Sequence, residues 1–297
     1  MSSFASVRLG RIGIWRRYQP GPGIVPELEA LGYGTLWLGS SPSLDDARAY
    51  LEASEEITIA TGILNIWQHD PADVARQHLE LSSAYPGSFL LGIGVGHPEA
   101  TSDYTRPLTA MRKFFDGLDA GGVPREEMVA AALGPKMLDL AAERPVPRDE
   151  RLIAAIGPKM LELAAQRTLG THPYFTTVEH TRFAREKVGP DRLVAPEVAV
   201  VVDSDPDSGR AKAREYAALY LQLTNYTSNL LRYGFTERDL ADGGSDRLID
   251  AVIPHGSAEA VAEAVHAHIE AGADHVCLQP KGGDAVEDYR ALAAALF

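Results

Sequence analysis

Short runs of apolar and β-branched residues recur along the chain, and stretches with helical periodicity separate them. The first four runs read RLGRIGIW, YGTLWLG, EITIATGILNIW and SFLLGIGVG, and three later runs read GTHPYFTT, LVAPEVAVVVD and DHVCLQP. Ser43 and Asp70-Pro71 stand between runs and are typical of helix starts. Strands that alternate with helices form βαβ units with parallel strands. The pattern therefore predicts an α/β protein with a parallel sheet.

One segment of the chain occurs twice in tandem. Copy one, residues 123–145, reads VPREEMVAAALGPKMLDLAAERP, and copy two, residues 146–168, reads VPRDERLIAAIGPKMLELAAQRT, with 15 of 23 positions identical. Two copies are too few for a solenoid. Counted once, the duplicated unit brings the strands to eight, the number that closes a (β/α)8 TIM barrel. We predict a single barrel domain over residues 1–297, with an extra duplicated segment before strand five and a long excursion after strand seven.

The two copies differ in how well they suit a strand. A ninth strand would change the tilt and shear of a barrel, so one copy is expected to leave the wall. Copy two contains RLIAAIG, which is richer in β-branched residues, whereas PREEMVAAALG of copy one favours helix. We predict that copy two supplies strand five and that Pro124 to Arg144 forms a helical hairpin outside the barrel. Its apolar stripe of Met137, Leu140 and Ala141 is a candidate contact with a partner subunit.

Charge and cysteine content exclude some classes of function. The net charge of -13, without a cluster of basic residues, argues against nucleic acid as a partner. The single cysteine, Cys277, lies in an apolar run and is expected to be a buried thiol in a reducing compartment.

No apolar run is long enough for a membrane span and no leader pattern is evident, so a cytoplasmic location is expected. His266 and His268 lie two positions apart on a predicted helix and point apart, so no metal site is predicted.

Both copies contain Gly-Pro-Lys-Met at the start of a predicted helix. Glycine permits a tight turn, and proline suits the first helical position. The free backbone N–H groups of such a helix start, with the lysine cation, favour a phosphate site. A plain strand-to-helix turn is the alternative interpretation.

The order of several motifs points to a known family. TGILNIW at strand three, FLLGIGVG at strand four, AAIGPKMLELAA at strand five and EAGADHVCLQ at strand eight resemble the bacterial luciferase-like superfamily. Within it, the chain is most similar to oxidoreductases that use the deazaflavin coenzyme F-420. The resemblance implies a (β/α)8 barrel with the coenzyme across its C-terminal mouth.

The resemblance also implies roles for individual residues. A bulge with a cis peptide at Gly62-Ile63 would back the deazaflavin ring, and a phosphate turn would follow strand five. The implied coenzyme-binding residues are Gly62, Ile63, Leu64, Asn65, Gly94, Gly96, His97, Ile156, Gly157, Pro158, Lys159 and His172. The family's sugar-phosphate dehydrogenases have a carboxylate where His97 stands and a histidine near Gly39, Ser40 and Ser41, so that activity is not expected here.

Several candidate side chains have two interpretations. His97 either exchanges a proton with the substrate during hydride transfer or only holds the coenzyme or a loop. His172 either contacts the ligand or is structural. Trp15, Trp37 and Trp67 near strand ends either wall an aromatic pocket or pack the barrel top. The polar cluster of Asn225, Tyr226 and Asn229 either contacts substrate or begins a helix.

The leading functional prediction is hydride transfer between coenzyme F-420 and a small organic substrate. The alternatives are an FMN-dependent luciferase-like monooxygenase and a catalytically silent cofactor-binding barrel. A homodimer is expected.

Overall fold

The strands of the protein are short and follow the predicted apolar runs. A computed structural model describes residues 8–17, 19, 21–96, 106–131, 165–283 and 285–297. Its strands are β1 (Ile12–Arg17), β2 (Thr35–Gly39), β3 (Thr58–Thr61), β4 (Leu64–Asn65), β5 (Phe89–Gly94), β6 (Met128–Ala131), β7 (Gly170–Thr171), β8 (Leu193–Val194), β9 (Glu197–Val202), β10 (His255–Gly256) and β11 (Val276–Pro280). Every pairing between these strands is parallel, as the βαβ pattern predicts.

Helices connect the strands and begin at the predicted caps. Ser43 caps one helix with a capping box, and the side chain of Asp70 caps another. The α-helices are Val25–Ala30, Leu44–Glu52, Pro71–Ala84, Pro107–Ala120, Val178–Val188, Pro206–Tyr220, Thr224–Arg232, Glu237–Leu240, Asp246–Val252, Ala258–Glu270 and Ala285–Leu296. Short 3-10 helices span Pro22–Ile24, Arg125–Glu127 and Ala241–Gly243. No helix within the described ranges is long and apolar enough to cross a membrane.

The sheet runs in the order β10-β9-β11-β1-β2-β3-β5-β6-β7-β8, and β4 pairs with β5. β8, at one end of this order, and β9, next to the other end, lie in one short stretch of chain, because only Ala195 and Pro196 separate them. The Ala195 amide donates to Thr171 O at 3.0 Å, and the Cys277 amide donates to Pro196 O at 2.9 Å. This stretch is thus hydrogen-bonded to β7 on one side and to β11 on the other.

The prediction that copy two supplies strand five is wrong. Met128–Ala131 of copy one forms β6, which pairs with β5 on one side and with Gly170–Thr171 on the other. Copy one therefore lies in the sheet rather than in an external helical hairpin. The rest of the predicted hairpin, with its stripe of Met137, Leu140 and Ala141, lies outside the described residues.

Packing explains why copy one forms a strand although its sequence favours helix. Met128, Val129 and Ala130 are completely buried. In copy two the corresponding residues are Arg151, Leu152 and Ile153. A guanidinium would replace a thioether in the core, and larger side chains would replace Val129 and Ala130. Burying an unpaired charge and overpacking a core both cost more than a difference in strand propensity.

Copy two still contributes to the same unit. Its last residues, Ala165, Gln166 and Arg167, are helical and lead into β7. Arg125 Nη2 of copy one donates to Ala165 O at 2.9 Å. Arg167 Nη2 lies 2.9 Å from Asp116 Oδ1 and 2.8 Å from Asp119 Oδ2. The unit is a hybrid in which copy one supplies the strand and copy two supplies the residues that enter the next strand.

The excursion after β9 is helical. Its helices run from Pro206 to Val252, and their apolar residues pack with Ala199 and Val201 of β9 and with Phe175. Cys277 is a free thiol and completely buried, as the sequence predicts.

Candidate functional site

The segment after β3 and the end of β5 meet at the carboxyl edge of the sheet. Leu64 pairs with Ile93, and Asn65 pairs with Gly94. The peptide bond between Gly62 and Ile63 is cis, as the resemblance implies. The structure therefore brings together two groups of predicted coenzyme-binding residues, the run that begins at Gly62 and the glycines that end β5.

The glycine at position 96 allows this close approach. Its φ of 59° lies in the left-handed region, and a Cβ there would be 3.1 Å from Asn65 Nδ2. The amide oxygen of Asn65 accepts from the Trp67 amide at 3.1 Å, and Trp67 Nε1 donates to Val95 O at 2.8 Å. Backbone and side-chain bonds thus fix the ends of both strands.

The backbone that follows β2 is strained. Ser40 and Ser41 have φ values of 70° and 55°, a region that non-glycine residues seldom occupy. Ser41 Oγ accepts from the Asn65 amide at 3.2 Å and donates to Gln68 Oε1 at 2.9 Å. Such outliers concentrate at functional sites, where neighbouring groups hold them in place. The sequence alone gave no signal for this feature.

A cavity of about 490 Å³ opens beside these segments. Its lining comes from the ends of β1, β2, β7 and β11 and from the helix Pro206–Tyr220. The lining residues are Trp15, Arg17, Ser40, Tyr174, Lys212, Glu215, Tyr216, Leu219, Tyr220, Gln279, Lys281 and Gly282. Its volume is in the range of small-molecule sites, which are roughly 300 to 1,000 Å³.

Trp15 connects the cavity to the predicted coenzyme segment. Its Nε1 donates to Gly62 O at 2.8 Å. Its ring packs edge-on against Tyr174, with ring centroids 5.7 Å apart. Trp15 therefore forms a wall of the cavity, as one interpretation of the sequence predicts.

Three tyrosine hydroxyls converge at the cavity wall. Tyr174 Oη lies 2.6 Å from Tyr216 Oη and 2.9 Å from Tyr220 Oη. Tyr174 also donates to Gln279 Oε1 at 3.1 Å, and Tyr216 donates to the same oxygen. Burial raises the pKa values of all three phenols, so they remain neutral donors and acceptors at ordinary pH.

Two cations lie at the same cavity. Lys281 Nζ lies 4.4 Å from the centroid of the Tyr216 ring and 6.0 Å from that of Trp15. Burial lowers the pKa of the Lys281 ammonium, and the nearby carboxyl group of Glu197 has the opposite effect. Arg17 is exposed at the rim. Within the described part of the chain, neither cation forms a salt bridge.

Glu197 is a buried acid below the tyrosines. It is 1% exposed and pairs in register with Cys277. Burial raises the pKa of Glu197 to about 8, although Lys281 and the Phe175 backbone lower it. Neither carboxylate oxygen has a hydrogen-bond partner of ordinary geometry among the described residues, so the Phe175 contact is weak. Burial therefore favours the neutral, protonated form of the carboxyl group.

His172 lies inside the sheet rather than at the cavity. Its ring stacks on Trp37 with centroids 4.1 Å apart, and its Nδ1 lies 2.7 Å from Ala195 O. Burial lowers the pKa of His172 to about 4, so the ring is neutral. Trp37 is completely buried in the interior, so it serves packing rather than the wall of a pocket.

The remaining predicted residues divide into two groups. His97 and the phosphate-turn residues Ile156, Gly157, Pro158 and Lys159 lie outside the described residues. Tyr226 and Asn229 lie in the helix Thr224–Arg232 and are 1% and 2% exposed, consistent with a packing role. Within the described ranges, no group of three potential ligand side chains could hold a metal ion.

Sequence reasoning missed most of the cavity wall. Tyr216 and Tyr220 look like ordinary helix residues, and Lys281 and Arg17 look like ordinary charges that follow strands. Glu197 is the exception, because its carboxylate stands within the apolar run LVAPEVAVVV. A carboxylate inside an apolar strand pattern indicates a buried polar group.

Comparisons with known proteins agree with this architecture. The chain aligns over 97% of its length with an F-420-dependent secondary alcohol dehydrogenase solved with an F-420-acetone adduct, at 15% identity and a TM-score of 0.70, covering 99% of that chain. The F-420-dependent tetrahydromethanopterin reductase from Methanopyrus kandleri gives 14% identity, a TM-score of 0.70 and coverage of 98% and 99%. The oxygenating constituent of 3,6-diketocamphane monooxygenase from Pseudomonas putida, solved with FMN, gives 14% identity, a TM-score of 0.61 and 95% coverage of both chains.

At these identities the solved structures establish the fold alone. No curated protein sequence matches the chain. The family described as luciferase-like monooxygenase matches residues 16–275, most of the sequence. The chain therefore belongs to the luciferase-like monooxygenase family.

Proposed function

We propose that this protein is an oxidoreductase that transfers a hydride between coenzyme F-420 and a small organic substrate. The observation that carries the proposal is the bond from Trp15 Nε1 to Gly62 O, because it joins the predicted coenzyme segment to the aromatic cavity. A coenzyme backed by Gly62 and Ile63 would lie beside a pocket for its reaction partner. The two F-420-dependent structural neighbours support this choice of coenzyme.

The proposed fold is a closed (β/α)8 barrel. The hydrogen bonds that join the Leu193–Val202 stretch to β7 and to β11 support closure. In such a barrel the carboxyl ends of the strands form the functional face. Trp15, Tyr174 and Lys281 all lie at that end of their strands.

The described residues fit a planar coenzyme. Gly62, Ile63 and Gly96 are partly exposed, and two of the three have no side chain to occupy the space above them. Gly62 to Asn65, with Gly94 and Gly96, would hold the ring. When bound, the deazaflavin supplies the carbon centre that gives or accepts the hydride.

The protein's own groups would position the substrate and handle its proton. Trp15 and the tyrosines exclude water from one side of the pocket, which strengthens polar contacts inside it. Hydride transfer to or from an alcohol or carbonyl also moves a proton, and His97 is the proposed donor or acceptor. Lys159, in the proposed phosphate turn, would hold the far end of the coenzyme.

An FMN-dependent monooxygenase is the second candidate, because a structural neighbour of similar coverage was solved with FMN. Titration of the purified protein with coenzyme F-420 and with FMN, followed by absorbance, separates the candidates. Saturable binding of F-420 with much weaker binding of FMN supports the proposal. The reverse preference supports the monooxygenase, and binding of neither supports a silent barrel.

A further inference from the structure

Two cations that form no salt bridge with any described residue face the aromatic cavity. Lys281 Nζ contacts the faces of Trp15 and Tyr216, and Arg17 lies at the rim. The third basic residue of the lining, Lys212, is already paired with Asp203 at 2.7 Å. Lys281 and Arg17 are therefore the positive charges of the described lining that remain available to a ligand.

The acidic groups near the cavity form no salt bridge with these two cations among the described residues. Burial raises the pKa of the Glu197 carboxyl group and so favours its neutral form. Glu215 is exposed on the helix that covers the cavity and forms no salt bridge within the described part of the chain. A local positive site in a protein of net charge -13 is a feature that overall composition does not predict.

The rest of the lining is aromatic and flat. Trp15, Tyr174, Tyr216 and Tyr220 present ring surface, and the hydroxyl groups of the three tyrosines bond mainly to each other and to Gln279. Aromatic walls select a planar apolar body, whereas cations select an anionic group at its end.

We propose that the cavity binds a planar organic substrate that carries a carboxylate, with the carboxylate held between Lys281 and Arg17 and the planar body against Trp15 and Tyr174. The proposal rests on the proposed function in treating the bound anion as the hydride partner. Binding itself requires no coenzyme and can be measured without it.

Calorimetric titration of the purified protein with benzoate, benzamide and inorganic phosphate tests the proposal. Benzoate is expected to bind at least tenfold more tightly than benzamide, which has the same shape without the charge. Phosphate is expected to compete poorly because it has no planar body. Equal affinities for benzoate and benzamide, or displacement of benzoate by equimolar phosphate, would overturn the proposal.

Variants of Lys281 and Arg17 test whether these two side chains hold the carboxylate. Lys281→Met should weaken benzoate binding about tenfold or more, the effect of losing one charge-assisted contact. Lys187→Met is the matched control, since Lys187 also lies over an aromatic ring, that of Phe183, and does not line the cavity. Arg17→Gln, at an exposed position, provides a second test that does not disturb the core. Unchanged benzoate affinity in the Arg17 and Lys281 variants contradicts the assignment, whatever the outcome of the coenzyme titration.

Discussion

Glu197 is a buried carboxyl group that interacts with Lys281 of the cavity. Its side chain shares a face with Ala199 and Val201 of β9, which pack beneath the excursion helices. Burial raises the pKa values of Tyr174, Tyr216 and Cys277, and the charge of Glu197 in its ionised form raises them further. In its protonated form it leaves the Lys281 charge available to a ligand. Protonation of Glu197 thus affects both stability and the electrostatics of the cavity.

Replacement of Glu197 with glutamine should change how stability depends on pH. The folded pKa is raised from 4.5 to about 8, so this contribution is fully present below about pH 4.5 and is lost as pH rises through 8. Between these values the unfolding free energy of the native protein should fall relative to Glu197→Gln, by up to about 1.4 kcal/mol per pH unit. Urea unfolding at several pH values between 5 and 9 measures the difference.

A surface variant provides the reference for that experiment. Glu263→Gln removes an exposed carboxylate from the helix Ala258–Glu270 and should follow the native pH profile. If the Glu197→Gln profile also runs parallel to the native one, Glu197 is ionised in the folded protein and its proposed neutral state is wrong.

Gly39 determines where Trp15 can lie. A Cβ at Gly39 would be 1.9 Å from Cζ2 of Trp15, so alanine would displace the indole that bonds to Gly62. Gly39→Ala should therefore destabilise the protein by about 1 to 3 kcal/mol and weaken coenzyme binding. Gly23→Ala is the control, since a Cβ there would have no neighbour within 4 Å. Thermal unfolding and coenzyme titration of both variants test this, and equal behaviour would show that Trp15 is not constrained by Gly39.

Among the elements, the unit from β6 to β7 shows where sequence reasoning succeeded and where it failed. Seven of the eight predicted strand positions contain strands, because runs of buried apolar residues are strong local signals. The choice between the two copies failed, because propensity describes isolated segments, whereas the buried site accepts Met128 and excludes Arg151 on volume and charge. The tyrosines of the cavity could not be predicted, since their meeting depends on how the excursion folds back.

The phosphate turn is a testable property of this same unit. Ala165 to Arg167 of copy two are helical and are anchored to Arg125, Asp116 and Asp119. Because copy two supplies these residues, we propose Lys159 as the phosphate-binding lysine. Lys159→Glu should weaken coenzyme binding by roughly 1 to 3 kcal/mol, the value of a lost charge-assisted contact.

The duplication supplies the control for this prediction. Lys136 has the same neighbours in sequence, Gly-Pro before and Met-Leu after, as Lys159. Lys136→Glu should leave coenzyme affinity unchanged in the titration. A loss of affinity in the Lys136 variant alone would assign the phosphate turn to copy one.

For the whole molecule, the order of the sheet constrains which segments can be removed. Each strand from β1 to β9 pairs with neighbours whose registers are fixed, and β6 is the only described connection between β5 and β7. The fold therefore requires one strand at this place with uncharged side chains that fit the buried site. It does not require two copies of the segment, because one strand and one following helix complete a βα unit.

Two deletions of equal length test this requirement. Removal of residues 132–154 leaves the strand of copy one joined to the turn and helix of copy two. Removal of residues 123–145 leaves copy two alone. The two products differ only where Glu126, Met128, Val129 and Ala130 are replaced by Asp149, Arg151, Leu152 and Ile153. Three of these four positions are completely buried in β6.

We expect the 132–154 deletion to fold and to keep the stability of the full chain within about 1 kcal/mol, because every described contact of β6 is retained. The 123–145 deletion should be less stable by several kcal/mol or fail to fold, because an arginine enters the core and two side chains become larger. Circular dichroism and urea unfolding compare the two proteins directly. Met128→Arg in the 132–154 deletion isolates the charge, and if that variant is as stable as its parent, the burial of Met128 does not explain why copy one occupies the sheet.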